Sequence, residues 1–190
     1  MTTEIELKAR VKDPEALKEV IASLAVFDGS FEKEDAYWYS SESYNPDVRI
    51  RKETDMDPQG KRTTTIWVTY KVKDRRNGIE VNDEREFSVS DAENFEGLLK
   101  RLGLAQGMKK HKQGWAWDYQ GITIELVEIG MLGWFVELEI LADNHRAETL
   151  RLSRSRLLEL LRRLGLEEDA IERRYYAEML GSALETIEPK

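Results

Sequence analysis

Glutamates and basic residues recur along this chain as pairs of one sign, two positions apart. Glu4 and Glu6 come first, with Lys8 and Arg10 continuing the alternation. Arg49 and Arg51, Lys71 and Lys73, Glu84 and Glu86, Lys110 and Lys112, and Glu137 and Glu139 follow. A spacing of two puts both members of a pair on one face of a β-strand. Like charges on one face repel, so a plain solvated sheet gains nothing from grouping them, whereas a sheet curled around a ligand gains a great deal. Clustered carboxylates raise one another's pKa unless a cation neutralises them, and hard oxygen ligands without His or Cys select Mg²⁺ or Mn²⁺. Clustered Arg and Lys need an anion, and phosphate oxygens suit both the fork of Arg and the point charge of Lys. Together these groups form the apparatus of phosphoryl-transfer chemistry. The structural alternative is an antiparallel sheet with one wet, charged face.

The elements that must carry these residues can be read from periodicity. Glu4–Val11 alternates charged with apolar residues and is predicted to be a strand. Asp13 and Pro14 then open a helix with the stripe Leu17, Val20, Ile21 and Leu24. Strands are expected near Phe31–Ser40, Val48–Lys52, Thr63–Lys73 and Gly78–Val89, with loops near Asp28–Ser30, Ser40–Asp47, Met56–Gly60 and Arg75–Gly78. Ser90 with Glu93 reads as a capping box for a second helix bearing Phe95, Leu98, Leu99 and Leu102. Met108–Asp118, Gly121–Ile129 and Phe135–Leu141 complete the strands, and helices Arg146–Leu164 and about Glu168–Leu180 end the chain. The faces opposite the charges are apolar (Ile66, Val68, Tyr70, Val72; Phe87, Val89; Val136, Leu138, Ile140), ready to be covered by helices. The order predicts an α+β fold, with an eight-stranded antiparallel β-barrel, or tunnel, and helices packed outside it. Eight strands leave room inside for side chains or one small ligand.

Bulk properties narrow the function classes. Charged residues make up 35% of the chain, well above the usual quarter, so charge has work beyond coating a surface. The net charge of −8 and pI near 5.0 argue against duplex DNA or an anionic membrane as partner, but allow a basic cavity inside an acidic protein. With no cysteine, disulfides and thiol chemistry are excluded, which suits a cytoplasmic location. No apolar run reaches the length of a membrane span, and the N-terminal MTTEIELKAR is too charged for a signal peptide. No linker divides residues 1–190, so one domain is expected.

Glu4-Ile5-Glu6-Leu7-Lys8 is an E-x-E-x-K motif on an N-terminal strand followed by a helix, and it resembles the CYTH superfamily, the triphosphate tunnel metalloenzymes. Further motifs resemble that family in order: Val48-Arg49-Ile50-Arg51, Thr69-Tyr70-Lys71, the Glu84 and Glu86 strand, Lys110-His111-Lys112, and Leu132-Gly133-Trp134-Phe135-Val136-Glu137-Leu138-Glu139. Arg174-Tyr175-Tyr176-Ala177-Glu178-Met179-Leu180 is similar to the end of the class IV adenylate cyclase-like branch. The resemblance implies that Glu4, Glu6, Glu137 and Glu139, with Glu84, Glu86 and Glu125, hold Mg²⁺ or Mn²⁺. It implies that Lys8, Arg49, Arg51 and Lys71 are catalytic and that these, with Lys73, Lys110 and Lys112, bind a triphosphate: ATP, tripolyphosphate or thiamine triphosphate. Three positions depart from the branch. Val127 stands where it has Asp, with Glu125 on the same face; Asn82 stands where it often has Arg; and Lys112 replaces an Arg.

The implied activity is cyclisation of ATP to cyclic AMP and pyrophosphate, with hydrolysis of a triphosphate as the alternative. A non-catalytic module that binds polyphosphate or nucleotide is the reading from another class. A homodimer is compatible with the sequence but not demanded by it. Other signals are weaker. His111 and His145 lack ligand spacing; Trp115, Trp117 and Trp134 read as packing before base stacking; the basic run Arg151–Arg163 reads as the wet side of an amphipathic helix. Ser153 and Ser155 have no His/Asp base to activate them.

Overall fold

The computed structural model describes residues 3–40, 48–76, 79–144 and 146–187, with side chains described outside 71–84 and 182–187. Strands β1 (Thr3–Val11), β2 (Val26–Tyr39), β3 (Val48–Met56), β4 (Arg62–Arg76), β5 (Ile79–Val89), β6 (Ala105–Tyr119), β7 (Ile122–Ile129) and β8 (Gly133–Ala142) close into a barrel. The circular order is β1-β5-β4-β3-β2-β6-β7-β8, and each neighbouring pair is antiparallel. Four helices accompany it: α1 (Pro14–Leu24), α2 (Ala92–Arg101), α3 (Ala147–Arg163) and α4 (Tyr176–Ile187). The expected α+β architecture is therefore the one observed.

Period-two patterning sorts the residues between two environments. On β1, Ile5, Leu7 and Ala9 point outward into a core with Leu17 and Ile21 of α1 and Leu157, Leu160 and Leu161 of α3. Ile124, Leu126, Val136, Leu138 and Ile140 join that core from β7 and β8. Each fully buried aliphatic side chain there contributes about 1.5–3 kcal/mol, so the helices hold one half of the barrel firmly. On the opposite half, Trp38, Ile50, Val68 and Leu99 form a smaller cluster under α2.

Several boundaries differ from expectation, each for a local reason. The Asp28–Ser30 loop is instead a bulge inside β2, with a register shift between Phe27 and Gly29 against β6. A Cβ on Gly29 would lie 2.4 Å from the Met56 carbonyl oxygen, so the bulge tolerates only glycine. Helix α2 is capped by Asp91, not Ser90: its carboxylate accepts from the Asn94 backbone N–H at 3.0 Å. The expected helix Glu168–Leu180 is broken. A short 3-10 turn at Glu168–Ala170 gives way to Ile171, which bridges Ala9 of β1, and the helix starts only at Tyr176. Glu172 holds the intervening chain through its backbone N–H to the Lys8 carbonyl and its carboxylate to Arg10 and Arg174. Glu178 accepts from the Tyr175 backbone N–H at 2.7 Å, satisfying one of the orphan donors where α4 begins.

Candidate active site

The inward face of the barrel encloses a cavity of about 400 Å³. Glu4, Glu6 and Lys8 reach it from β1, Glu125 from β7, and Glu137 and Glu139 from β8; Arg49 and Arg51 reach it from β3 and Lys110 and Lys112 from β6. Glu86 of β5 also lines it. Of the residues singled out in the sequence, Lys71, Lys73 and Glu84 have side chains outside the described residues, although the backbone register sets Lys71 opposite Glu84. The charges divide largely by strand. Neighbouring β7, β8 and β1 present a mainly acidic wall, with Lys8 among its carboxylates, and neighbouring β3, β2 and β6 present a mainly basic one, with Glu53 among its cations.

On the basic wall the cations are held by carboxylates of their own. Arg51 donates from Nε and Nη2 to the two Asp35 oxygens at 2.7 and 3.1 Å, and Lys110 Nζ lies 3.0 Å from Oδ2 of the same carboxylate. Burial opposes the charge on Asp35, but Arg51 and Lys110 more than offset it and hold the carboxyl well below its usual range. Burial dominates at Lys110 and lowers it to about 8, with Asp35 opposing the shift. Arg49 donates to Thr69 at 2.9 Å and lies 3.4 Å from Glu86, which itself accepts from Thr69 at 2.6 Å.

A chain of ion pairs crosses between the walls. Lys33 Nζ sits 2.9 Å from both Glu53 and Glu125, and Lys112 Nζ sits 2.5 Å from both Glu125 and Glu137. The Tyr176 hydroxyl, arriving on α4, donates to Glu137 at 2.7 Å. Burial alone would discharge these groups, yet Lys112 keeps both carboxylates ionised, and they in turn raise the lysine above its ordinary value. Burial, then Glu137, push Tyr176 far above the ordinary phenol range, so it remains a donor. Glu125 and Glu137, for which the motif match implied metal ligation, are thus engaged by lysines.

Glu139 is placed differently. It stands directly across the β1–β8 ladder from Glu6. Burial first, then Glu4 and Glu6, push its carboxyl up to about 9. Burial and like charge thus disfavour its ionised form, which a bound cation would restore. Among the described residues no three carboxylate or imidazole side chains are close enough to cage a metal by themselves. The donor chemistry nevertheless suits Mg²⁺ or Mn²⁺, because Mg²⁺ is commonly held by one or two carboxylates together with substrate phosphates.

Next to these charges the interior turns apolar. Phe31, Val127, Ile129 and Phe135 pack together with Met179 and the ring of Tyr176. Val127, fully buried, belongs to this patch and not to the polar lining. Gly114 faces it across the β6–β7 ladder, where a Cβ would lie 2.1 Å from the Leu126 carbonyl oxygen.

Lys33, Asp35, Glu53 and Tyr176 were not singled out as site residues in the sequence. Lys33, Asp35 and Tyr37 alternate on one face of β2, which is the signal that could have found them; their charges differ in sign, so a search for like pairs passes over them. Glu53 continues the alternation of Arg49 and Arg51 but lies one residue past the expected strand end. The weaker signals resolve as packing or surface contacts. Trp117 is in the outer core, Trp115 stacks on Trp134 at 5.7 Å, and His111 meets Glu32 at 2.9 Å. Arg156 donates to the Gln120 carbonyl. His145 lies outside the described residues. No helix among the described residues is long and apolar enough to cross a membrane.

The CYTH domain family model matches residues 2–176. A curated Methanocaldococcus jannaschii protein, provisionally named an adenylate cyclase, is 26% identical over 186 residues, covering 94% of this chain and 98% of its own. Among solved structures, one Pyrococcus horikoshii protein is 31% identical with a TM-score of 0.74, over 92% of this chain and 98% of that one. A second from the same organism is 26% identical with a TM-score of 0.79, over 95% and 99%.

Proposed function

Because the chain belongs to the CYTH domain family, we propose that it is a metal-dependent enzyme that binds a triphosphate in the barrel and breaks a phosphorus–oxygen bond there. The observation that carries this reading is the opposition of an acidic and a basic wall across one cavity of about 400 Å³. A purely solvated sheet face gives no reason to enclose these charges.

The residues have separable tasks. Lys8, Arg49, Arg51 and Lys110 bind phosphate oxygens, with Lys71 and Lys73 of β4 in the same role. Lys112 serves chiefly to neutralise Glu125 and Glu137. One or two of Glu4, Glu6 and Glu139 would hold Mg²⁺ or Mn²⁺ together with substrate phosphates, and the ion would supply charge neutralisation on the phosphate chain. Catalysis from the protein is then mainly positioning and electrostatic stabilisation in a site sheltered from bulk water. Burial lowers Lys110 to about 8, so its charge changes not far above neutral pH.

In the cyclase reading the ribose 3′-hydroxyl of ATP attacks the α-phosphate and pyrophosphate leaves. The name of the Methanocaldococcus relative and the similarity of the C-terminal segment support it. Hydrolysis by water is favoured by one observation: Val127, where the cyclase-like branch carries Asp, lies in the apolar patch. The test is incubation with ATP, tripolyphosphate and thiamine triphosphate, each with Mg²⁺ or Mn²⁺, assaying cyclic AMP, pyrophosphate and phosphate. Cyclic AMP with pyrophosphate identifies a cyclase; phosphate alone identifies a hydrolase. Triphosphate binding without any product would leave a binding module and sink the enzyme.

A further inference from the structure

We infer that Asp35 is a positioning residue that holds Arg51 and Lys110 as one preformed anion clamp, acting through them without touching substrate. This rests on the reading of the cavity as a triphosphate site. Asp35 is central to the basic wall: the β2–β3 register sets it opposite Arg51, and the β2–β6 register sets it opposite Lys110. Its side chain is 0% exposed, against 12% for Arg51 and 7% for Lys110. Arg51, Lys110 and Tyr37 line the cavity, while Asp35 is not among the lining residues. Its carboxylate therefore lies behind the cations that a phosphate would meet.

The bonding is oriented. Arg51 presents the Nε and Nη2 edge of its guanidinium to Asp35, at 2.7 and 3.1 Å, which leaves Nη1 for a ligand. Lys110 shares Oδ2 with the Tyr37 hydroxyl, which donates at 3.3 Å. Without an anion between them, two buried cations would repel and turn apart. With it, the cluster keeps one net positive charge and a fixed geometry, the condition under which electrostatic stabilisation requires no reorganisation. Among the described residues, the charged groups acting most strongly on Lys110 are Asp35 on β2, Arg49 and Arg51 on β3 and Lys112 on its own strand, with the rings of Tyr37 and Tyr176 alongside. Asp35 is the anion among them, so its removal should make Lys110 give up its proton at lower pH.

The test compares the unmodified protein with Asp35→Asn, which keeps the shape and removes the charge. Tripolyphosphate binding is measured by calorimetry without divalent ions, and turnover with Mg²⁺ is followed across pH. The expected result is at least about tenfold weaker binding, as for a charge-assisted hydrogen bond lost from each cation, with the alkaline limb of the rate profile moved to lower pH. Adding Asp35→Asn to Arg51→Met should then produce less further loss than it does alone. A folded Asp35→Asn protein with unchanged binding and pH profile reduces Asp35 to packing and overturns the inference. If Asp35→Asn does not fold, Asp35→Glu retains the charge and displaces it; weaker binding at an unaltered melting temperature supports the role, and unaltered binding overturns it. An unmodified protein that neither binds nor turns over tripolyphosphate defeats the triphosphate reading itself, and this inference with it.

Discussion

The two walls of the cavity solve the same electrostatic problem in opposite ways. The basic wall carries internal counter-charges: Asp35 holds Arg51 and Lys110, and Glu86 stands beside Arg49. On the acidic wall the buried carboxylates differ from one another. Lys33 and Lys112 satisfy Glu125 and Glu137, but Glu139 faces Glu6 across the ladder and is pushed toward its protonated form. A wall that supplies its own counter-ions is preorganised for an anion of fixed shape. A carboxyl raised by burial and like charge, as Glu139 is, would regain its ionised form beside a bound cation. The contrast supports the proposed placing of a metal near Glu4, Glu6 and Glu139, apart from the lysine-paired Glu125 and Glu137.

The largest effect that can sharpen this contrast is expected at Glu139. Glu139→Gln should lower kcat with the true triphosphate by about 100-fold or more, the loss expected when several kcal/mol of charge stabilisation disappear. It should leave the fold intact, because the glutamine mimics the protonated acid. Steady-state kinetics and a melting curve check both halves; full activity would break the distinction between the walls. Lys112→Met should act the other way, destabilising the protein by about 3–5 kcal/mol because Glu137 loses its buried cation while Glu125 keeps Lys33. Denaturant unfolding measures this, and a neutral result would show that Glu137 finds another cation. Arg51→Lys should be smaller again, about tenfold in kcat/KM, because the fork toward Asp35 and the substrate is lost while the charge remains.

The smallest effect is a pH slope. Glu139 has its carboxyl raised from 4.5 to about 9, so the folded state binds its proton more tightly than the unfolded chain does. Its stabilising contribution is full below pH 4.5 and is lost as pH rises toward 9. The metal-free melting temperature should fall across that window, and millimolar Mg²⁺ should flatten the fall. Lys110 has the opposite sign, lowered from 10.5 to about 8, so it adds stability as pH rises across that range. A metal-free protein whose melting temperature holds steady between pH 5 and 8 would argue against the raised carboxyl at Glu139.

Much of the barrel was legible because alternation is a local property. Glu4, Glu6 and Lys8 fall on one face of β1 and Ile5, Leu7 and Ala9 on the other whatever the rest of the chain does, and the structure keeps that division. Helix α1 was equally plain, since Asp13 and Pro14 specify its start. The broken C-terminal helix was not, because the tie between Glu172 and β1 lies outside any helical pattern. Asp35 escaped notice for a related reason: its meaning depends on which strands flank β2.

The sequence by itself determined which residues face inward, since a period of two follows from backbone geometry and needs no partner. It also determined that the inward set contains both signs. Only the tertiary structure decided which charge meets which. Lys112 and Glu137 are separated by 25 residues and Lys33 and Glu125 by 92, and barrel closure alone brings them together. Burial and partner together set whether a carboxylate stays ionised, so Glu137 and Glu139, two residues apart on one strand, end with opposite shifts.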